Sequence, residues 1–479
     1  MSGSARQPAS TRRRGSSGAA DGSATRRASN QQERLLHAMI ELAAEDGYHR
    51  VSVARVSSHA GVSSATFYEQ FSSKEDCMLA AYRRAGERVF GEMRAAARIG
   101  DGALGGGERL AVIRVALASL LGAVATDPQA ARVVFVEGIA GGPQLRELSR
   151  RSLDRVEQRT EAFLDEWPED GSALDIPPTA LVGAVRNIVS RRLRIHAEDL
   201  LPGLIDDLLA WIGCYERGGR KRRWSTGPGA LLRRPQDNGA NAPAVTTSIA
   251  PAPPRLPRGR HGLPAGAVMR SHRTRIVAAT AEVTMAKGYA NTTVADIVAS
   301  AGVARDVFYE HFADKEHAFL EAQQHPTQYI IDRCAEAYFK AASWPERVWD
   351  YLLALISMIV ENPAISHLRL VECYAAGPAA IRRAEEITRS FAIFLEEGYR
   401  LDAASRELPR LASEAITGAI YEIVQRHVAR GNVAALPARL PQLAYIVLAP
   451  FTGATEAIEH VGELSGSRPL GAHVLEANA

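Results

Sequence analysis

The feature that most constrains the fold of this 479-residue chain is a 29-residue pattern that occurs twice without a gap. Residues 47–75 read GYHRVSVARVSSHAGVSSATFYEQFSSKE, and residues 288–316 read GYANTTVADIVASAGVARDVFYEHFADKE. Thirteen of the 29 positions are identical, which is far more than unrelated segments share. The chain is therefore built on an internal duplication, and any fold proposed for it must be able to occur twice.

The duplication extends well beyond this pattern. DPQAARVVFVEGIAGGP at 127–143 corresponds to NPAISHLRLVECYAAGP at 362–378, and ALVGAVRNIVSRRL at 180–193 corresponds to AITGAIYEIVQRHV at 415–428. The first pattern repeats at an offset of 241 residues and the later ones at 235, so copy two lacks a net six residues between about 317 and 360. A whole structural unit was duplicated.

Both copies have the apolar spacing of successive amphipathic helices, and no segment alternates convincingly as a strand does. We therefore predict an all-α fold. The expected boundaries are a disordered basic tail (1–30), a helix-turn-helix domain (31–82), a helical domain (83–216), a linker rich in Pro, Gly and Arg (217–268), a second helix-turn-helix domain (269–323), a second helical domain (324–460) and a tail (461–479).

Several classes of protein are disfavoured by composition. The four Cys are scattered without a CxxC pair, and no apolar run reaches the roughly 18–20 residues that cross a bilayer. No apolar stretch follows the N-terminal Arg12–Arg14 to make a secretory signal. Phosphate loops, nucleophile elbows and clustered metal ligands are not found. We expect a cytoplasmic protein that is not an enzyme, with no cofactor, no metal site and no membrane partner.

The formal net charge of +3 conceals a separation of charge along the chain. Residues 1–34 carry seven Arg against two acidic residues, and residues 217–275 carry thirteen Lys and Arg against one Asp. The remaining segments are acidic. Basic flexible segments raise DNA affinity by neutralising phosphates without reading sequence. The same composition also arises in proteins of GC-rich genomes, and both interpretations stay open.

Within the repeated pattern, the residue types predict a three-helix arrangement. Gly47 can end the first helix, because a residue after a helix often takes a positive φ. Ser52 can cap the second helix. Gly61 permits a tight turn into the third helix, on which Phe67 and Phe71 lie four residues apart on the core side. This is a helix-turn-helix, and copy two repeats it.

The residues GY, TTV.DIV..AGV, FY.HF and the following KE resemble the DNA-binding domain of the tetracycline-repressor (TetR) family. That family consists of all-helical regulators in which an N-terminal helix-turn-helix precedes a larger domain that binds a small effector and dimerises. The resemblance implies two tandem TetR-like units, each with an effector/dimerisation domain. It also implies a double-stranded DNA operator and a small-molecule effector as partners, and a ligand-responsive repressor as the function.

The resemblance places the third helix of each copy in the major groove, where base edges are distinguishable. The positions at its exposed N-terminal end are Ser63, Ser64, Ala65 and Thr66 in copy one, and Ala304, Arg305, Asp306 and Val307 in copy two. Arg305 can pair bidentately with guanine, whereas Ser64 cannot. Asp306 would repel phosphate unless it accepts from cytosine or pairs with Arg305. We expect an imperfectly palindromic operator, with a copy two that contacts only the DNA backbone as the alternative.

Other residues are assigned to the DNA backbone by the same resemblance. Tyr68 and Tyr309 resemble a family tyrosine that reaches phosphates, and Lys74 and Lys315 are similar to its phosphate-binding lysine. A further set either contacts phosphate or only caps the second helix. It consists of Ser52, Thr292 and Thr293.

Two further features concern the helical domains. Glu137 and Glu372 occupy matching positions in apolar stretches, and either recognise an effector cation or, as we favour, cap a helix or bond a backbone group. Pro326 aligns near Ala85 in the helix that joins the two domains, where it should break or kink that helix in copy two only.

The family arrangement predicts how the copies associate. Its dimer bundle would use helices at about 178–197 and 202–215 in copy one and 410–430 and 436–451 in copy two. If these pair within the chain, one polypeptide is an intrachain pseudo-dimer; the competing arrangement is a homodimer of fused chains. A DNA-organising protein that binds without sequence preference is the alternative function.

Overall fold

The computed structural model describes residues 17–103, 109–165, 172–218, 253–254 and 263–467. Of the segments expected to lack structure, residues 1–16, most of the 217–268 linker and residues 468–479 lie outside the described part. The described part is built almost entirely of helices, which confirms the all-α fold.

The helices of copy one are α1 (Ser17–Asp46), α2 (Val53–Ala60), α3 (Ser64–Gln70), α4 (Lys74–Ala103), α5 (Arg109–Thr126), α6 (Pro128–Arg132), α7 (Gly138–Ala140), α8 (Pro143–Asp165), α9 (Pro178–Arg194) and α10 (Ile205–Gly213). The helices of copy two are α11 (Ala265–Lys287), α12 (Val294–Ala301), α13 (Arg305–His311), α14 (Lys315–Gln324), α15 (Thr327–Lys340), α16 (Trp344–Glu361), α17 (Pro363–Leu370), α18 (Pro378–Ser390), α19 (Ala403–Glu407), α20 (Leu411–Ala429), α21 (Leu440–Thr452) and α22 (Ala454–Ser467).

Short irregular helical segments connect these elements. They are the 3-10 segments Tyr48–Arg50, Glu198–Leu204, Tyr289–Asn291, Glu372–Tyr374, Phe391–Leu395, Gly398–Arg400, Val433–Ala435 and Pro437–Arg439, and the π-helical turn Val133–Glu137. Two three-residue strands, β1 (Ser172–Leu174) and β2 (Glu216–Gly218), pair antiparallel after α8 and α10. The sequence does not predict this pair, because three residues are too few to show alternation.

Several element boundaries differ from those expected. Helix α1 begins at Ser17, so residues 17–30 are helical although the Ser-, Ala- and Arg-rich composition led us to expect disorder. Helix α11 begins at Ala265, before the expected boundary at 269, and α22 continues the second copy to Ser467. Alanine is the best helix former, so a polar, Ala-containing stretch that adjoins an established helix can extend it.

The break expected at Pro326 is confirmed. Helix α14 ends at Gln324 and α15 begins at Thr327, with Pro326 as the residue before it. In copy one the corresponding helix α4 runs without interruption past Ala85, which is fully buried. The connection between the helix-turn-helix domain and the following domain is therefore one continuous helix in copy one and two helices in copy two.

Among the residues that the structure describes, two helical segments are long and apolar enough to cross a membrane by length and composition alone, which the sequence analysis did not expect. They are Arg109–Thr126 and Val433–Thr452. In the fold, α5 packs against α4 and α10, and α21 packs against α16 and α22. Their apolar side chains, such as Leu117, Leu121 and Leu443, contribute to the protein core.

The two helix-turn-helix domains are attached to the rest of the molecule differently. The core of copy one's domain, with Phe67 and Phe71, is continuous with the core of both helical domains. The core of copy two's domain, with Ile276, Phe308 and Phe312, forms a separate cluster that reaches only as far as helices α17 and α18 and their connecting turn. The prediction that these phenylalanines are core is confirmed, since all four are buried.

The two copies pack against each other through α9 and α20. At Gly183 an added Cβ would lie 2.4 Å from the Cβ of Glu422, and at Gly418 it would lie 2.9 Å from the Cβ of Asn187. Positions 418 and 422 are the repeats of 183 and 187 at the offset of 235 residues. The same two positions therefore meet twice, which is the pattern that a two-fold axis produces.

Ion pairs reinforce this contact between the copies. Arg192 of α9 donates to both carboxylate oxygens of Glu414 at 2.8 and 3.0 Å. Arg186 Nε donates to Glu422 Oε2 at 3.0 Å, and the Glu422 side chain is 2% exposed. A carboxylate at such depth requires its partner, because an unpaired buried charge is costly. The association of the copies is thus specific rather than a loose apolar contact.

Candidate nucleic-acid interface

The recognition helix of copy one, α3, is capped by its own sequence. Ser63 Oγ accepts from the Thr66 amide at 3.0 Å and lies 3.0 Å from Thr66 Oγ1. Gly61, with φ of 63°, ends α2 in the left-handed conformation that glycine tolerates best and turns the chain into α3. Ser63, Ser64 and Ala65 are exposed, so these three predicted base-facing positions are accessible, while Thr66 is half-buried.

The recognition helix of copy two, α13, has the same length but a different beginning. Ala304 is in the capping position and has no side-chain acceptor, so the first amides of the helix have no side-chain cap. Arg305 and Asp306 are exposed, and Val307 is half-buried. Arg305 Nη2 donates to Tyr309 Oη at 3.4 Å, with the guanidinium 5.7 Å from the ring centre. Arg305 therefore lies along its own helix against Tyr309.

The two predicted phosphate-contacting tyrosines occupy equivalent places. Tyr68 is 60% exposed and Tyr309 is 48% exposed, which is unusual for so large a side chain. Each ring packs edge-on against the preceding phenylalanine, with centroids 5.4 Å apart in both copies. The ring edge is thereby held while the rest of the side chain remains accessible at the surface.

Lys74 and Lys315 are half-buried and hold the loop before the second helix. Lys74 Nζ donates to the carbonyls of Tyr48 and Val51 at 3.4 and 3.0 Å, and Lys315 Nζ makes the equivalent pair of bonds to Tyr289 and Thr292. Burial lowers the pKa of both ammonium groups. Each ammonium has three donor hydrogens, so one remains after these two bonds.

The three hydroxyl residues predicted to contact phosphate or to cap the second helix fall into two groups by their hydrogen bonds. Ser52 Oγ accepts from the Arg55 amide, and Thr293 forms a reciprocal capping box with Asp296. Thr292 is only 2% exposed, and its hydroxyl donates to the Gly288 carbonyl. Assignment of Thr292 to DNA contact is therefore not supported, because it aligns with the buried Val51 and stabilises the loop instead.

An arginine of the first helix was missed in both copies. Arg34 Nη2 donates to the Gly61 carbonyl at 3.1 Å, and Arg275 Nη2 donates to the Ala301 and Gly302 carbonyls. These bonds satisfy the end of the second helix and fix the turn that orients the recognition helix. The signal was present in the sequence, since the two arginines are separated by the same 241 residues as the repeated pattern.

Glu137 joins copy one's helical domain to its helix-turn-helix domain. Its Oε2 accepts from the Tyr48 amide at 2.9 Å, at the start of the loop that Lys74 also holds. Burial raises the pKa of Glu137 to about 6, against the opposing effect of this hydrogen bond. The structure thus supports the backbone-bonding interpretation of this residue over recognition of an effector cation.

Glu372 makes the equivalent bond and one more. Its Oε2 accepts from the Tyr289 amide at 2.8 Å, while Oε1 accepts from Arg146 of copy one at 2.8 Å and lies 3.6 Å from His367. Burial alone would raise the pKa of Glu372, but the nearby His367, the bond from Arg146 and the bond from the Tyr289 amide outweigh it and lower the pKa to about 2. Copy one therefore contacts the carboxylate that anchors copy two's helix-turn-helix domain.

A large cavity of about 1700 Å³ adjoins this contact. Its walls come from both copies and include Phe90, Phe135 and Arg146 of copy one and His367 and Glu372 of copy two. Among the residues that the structure describes, no group of three or more His, Cys, Asp or Glu could hold a metal ion. The cavity is thus lined by apolar groups and by ion pairs that connect the copies.

Comparison with known proteins identifies the repeated domain. The model of bacterial regulatory proteins of the tetR family matches residues 35–81 and 276–322. These two ranges contain both helix-turn-helix motifs. No curated protein matches the chain.

The solved structures that resemble the chain include three regulators. They are a TetR-like transcriptional regulator from Rhodococcus sp. RHA1 (22% identity, TM-score 0.31, covering 37% of this chain and 93% of that one), the fatty acid degradation regulator FadR from Bacillus halodurans (21%, 0.34, 36% and 96%) and a TetR family transcription regulator from Marinobacter aquaeolei VT8 (18%, 0.32, 40% and 97%). The two matches of the family model coincide with the repeated geometry: residues 35–81 and 276–322 are two tandem copies of a domain that matches the bacterial regulatory proteins of the tetR family.

Proposed function

We propose that this chain is a ligand-responsive transcriptional repressor that binds one operator with the two recognition helices of a single polypeptide. The observation that carries this proposal is the contact of α9 with α20, in which Gly183 meets position 422 and Gly418 meets position 187. A two-fold arrangement of helix-turn-helix domains suits an operator with two half-sites. The chain supplies both halves in the cytoplasm without a second polypeptide.

The two half-sites of the operator would be recognised by different kinds of side chain. In copy one, Ser63, Ser64, Ala65 and Thr66 offer short hydroxyl and methyl groups to base edges. In copy two, Arg305 leaves Tyr309 and forms two bonds to guanine, which the weak 3.4 Å bond to the tyrosine hydroxyl permits. The operator is therefore an imperfect palindrome.

The remaining accessible residues would position the protein on the backbone. The hydroxyls of Tyr68 and Tyr309 and the third donor of Lys74 and Lys315 contact phosphates. Ser52 and Thr293 act as helix caps, since their hydroxyls already bond the second helix. The proposed helix-turn-helix domains are 31–82 and 269–323 and the proposed effector/dimerisation domains are 83–216 and 324–460, while α1 and α11 begin before and α22 ends after these bounds.

The effector signal would pass through the two glutamates. Glu137 ends the π-helical turn Val133–Glu137, and Glu372 begins the 3-10 segment after α17, both within the proposed effector domains. Each accepts a hydrogen bond from the amide that begins the loop before the second helix. A ligand that moves these segments would shift that loop and thereby the recognition helix that follows. This gives the glutamates a role in transmission rather than in recognition of a cation.

Selection of bound fragments from a fragmented genome by the purified full-length chain tests the DNA part of this proposal. We expect one asymmetric two-part motif, in which Arg305→Ala weakens sequence preference in one half only. Ser64→Ala is the matched change for the other half. Uniform enrichment of fragments with a steep salt dependence contradicts the proposal and supports an architectural protein.

A second arrangement is favoured by one observation. Copy two's recognition helix lacks a side-chain cap, and its only arginine lies against Tyr309. If copy two contacts only the DNA backbone, the selected motif has a single half, and Arg305→Ala weakens binding to all sequences equally. The same selection experiment separates this outcome from the asymmetric two-part motif.

A further inference from the structure

A second, smaller cavity lies inside the effector domain of copy two. It has a volume of about 140 Å³ and is lined by residues of α15, α16, α17, α18 and α20. Its walls are mainly aliphatic and aromatic, with Leu355, Phe391 and Ile420 among them. A cavity of about 150 Å³ lined by such residues holds benzene. The apolar body of a ligand of this size therefore fits.

One cation is buried in the wall of this cavity. Arg369 of α17 is 8% exposed, and its Nη1 is buried with no hydrogen-bond partner. Burial lowers the pKa of Arg369 to about 10, so the guanidinium remains charged at neutral pH. Within the part of the chain that the structure describes, no carboxylate pairs with this guanidinium.

An unpaired buried charge is unfavourable for the protein alone. By contrast, the buried guanidinium of Arg186 is paired with Glu422. At the position of copy one that corresponds to Arg369, 235 residues earlier, the chain has Val134. The unpaired cation is thus a property of copy two and is not required by the fold of the repeated unit.

We propose that the cavity of copy two binds a small monocarboxylic acid, with its carboxylate on Arg369 and an apolar body about the size of a benzene ring. The proposal rests on the ligand-responsive function proposed above and specifies the chemical class of one effector. A guanidinium and a carboxylate match in geometry and charge. A ligand with several negative charges is disfavoured, because Arg369 is the one charged residue in a mainly apolar lining.

Direct ligand binding, measured without DNA, tests this assignment. Isothermal titration of the full-length chain would use benzoate, phenylacetate and 3-methylbutanoate, with benzamide as an uncharged analogue of benzoate. We expect at least one acid to bind at least tenfold more tightly to the wild-type chain than benzamide does. In Arg369→Met that preference is lost. Arg382→Met, a change of an exposed arginine on α18, leaves it intact.

Two further measurements keep the test independent of folding defects. Removal of an unpaired buried charge should leave the melting temperature of ligand-free Arg369→Met equal to or above that of the wild type. Ile420→Phe places a larger side chain in the cavity and leaves Arg369 unchanged, and it should abolish binding of the acid. Failure of every acid to bind, binding that survives Arg369→Met, or unfolding of that variant overturns the proposal. None of these results alters the DNA selection experiment, so the two proposals can fail separately.

Discussion

The two copies make equivalent hydrogen bonds between their domains, but the surroundings of the two glutamates that accept these bonds differ. Glu137 and Glu372 each accept from the amide that opens the loop before the second helix, at 2.9 and 2.8 Å. Burial dominates at Glu137 and raises its pKa to about 6, whereas Arg146 and His367 help to lower that of Glu372 to about 2. The duplicated scaffold is thus retained, while its coupling to the rest of the molecule has become unequal.

A surface ion pair is also present in both copies but is made by different residues. Asp46 pairs with Arg55 in copy one, and the equivalent positions in copy two hold Lys287 and Asp296. The signs of the charges are reversed, but the attraction between the end of the first helix and the second helix remains. The contact within the scaffold is thus kept with its charges exchanged, whereas the exposed face of the recognition helix differs between the copies.

The largest expected effect tests whether the copies depend on each other. Arg186→Ala removes the hydrogen-bonded cation that copy one supplies to the buried Glu422 and leaves Arg426 at 3.5 Å, so the expected cost is about 3 kcal/mol, at the lower end for breaking a buried pair. We expect this loss in the free energy of unfolding from urea denaturation. Arg151→Ala, which removes an exposed pair on α8, is the control and should cost about 1 kcal/mol or less. Equal effects of the two variants would show that the contact between copies is not stabilising.

The second largest effect is a difference between Glu372 and Glu137 in how their contributions to stability depend on pH. Glu372 has a lowered pKa, so its contribution to stability is present above about pH 4.5 and is lost as the pH falls towards 2. Glu372→Gln should therefore cost about 2 kcal/mol at pH 7, because Arg146 loses its charged partner, and progressively less below pH 4.5.

The pH dependence of the stability that Glu137 contributes has the opposite sign to that of Glu372. Its pKa is raised to about 6, so the stability contributed by its protonated form is present below pH 4.5 and is lost as the pH rises through 6. Glu137→Gln retains an acceptor for Tyr48 and should be at least as stable as the wild type at pH 7. Urea denaturation of both variants at pH 4, 5, 6 and 7 checks the comparison. Parallel pH dependences of the two variants would contradict it.

A third effect concerns base recognition. Arg305→Ala should remove about 1–3 kcal/mol of discrimination at one base pair of one half-site, since a bidentate contact with guanine is worth that much. Ser64→Ala should change discrimination less, because a single hydroxyl reads base edges less selectively. Competition binding with operators mutated one position at a time measures both. Loss of affinity without loss of discrimination in Arg305→Ala would assign this residue to the backbone.

The smallest effect concerns the caps of the two recognition helices. Ser63→Ala removes a side-chain cap and should cost about 1 kcal/mol, whereas Ala304→Ser supplies the missing cap and should gain a similar amount. Melting temperatures of the two variants, compared with the wild type, give the sign of each change. If both variants shift in the same direction, the copies do not differ in their capping as the structure indicates.

Much of the fold of the helix-turn-helix domains could be predicted from the sequence, because the same local pattern occurs in both copies. The repeated glycines, capping hydroxyls and phenylalanines define the helix-turn-helix, and Pro326 marks the break between α14 and α15. Recognition of such local features requires only the neighbouring residues. The corresponding prediction for Thr292 was wrong in detail because Thr293, one residue later, is the cap.

Contacts between distant segments could not be read in this way. Arg146 has Ile381 at its repeat position, so nothing in the duplication indicates that it reaches Glu372. Arg369 stands among apolar residues on a short helix, and only the fold shows that no carboxylate comes to meet it. Burial and the identity of a partner are properties of the assembled molecule, and they decide the pKa of Glu372 and of Arg369.

The central claim is that the two copies of one chain form the two-fold unit by themselves. Light scattering of the full-length chain, alone and at several concentrations, tests it most directly. The account predicts a mass of 51.7 kDa throughout the series. Twice that mass at every concentration would contradict it, because the copies would then be paired between chains rather than within one.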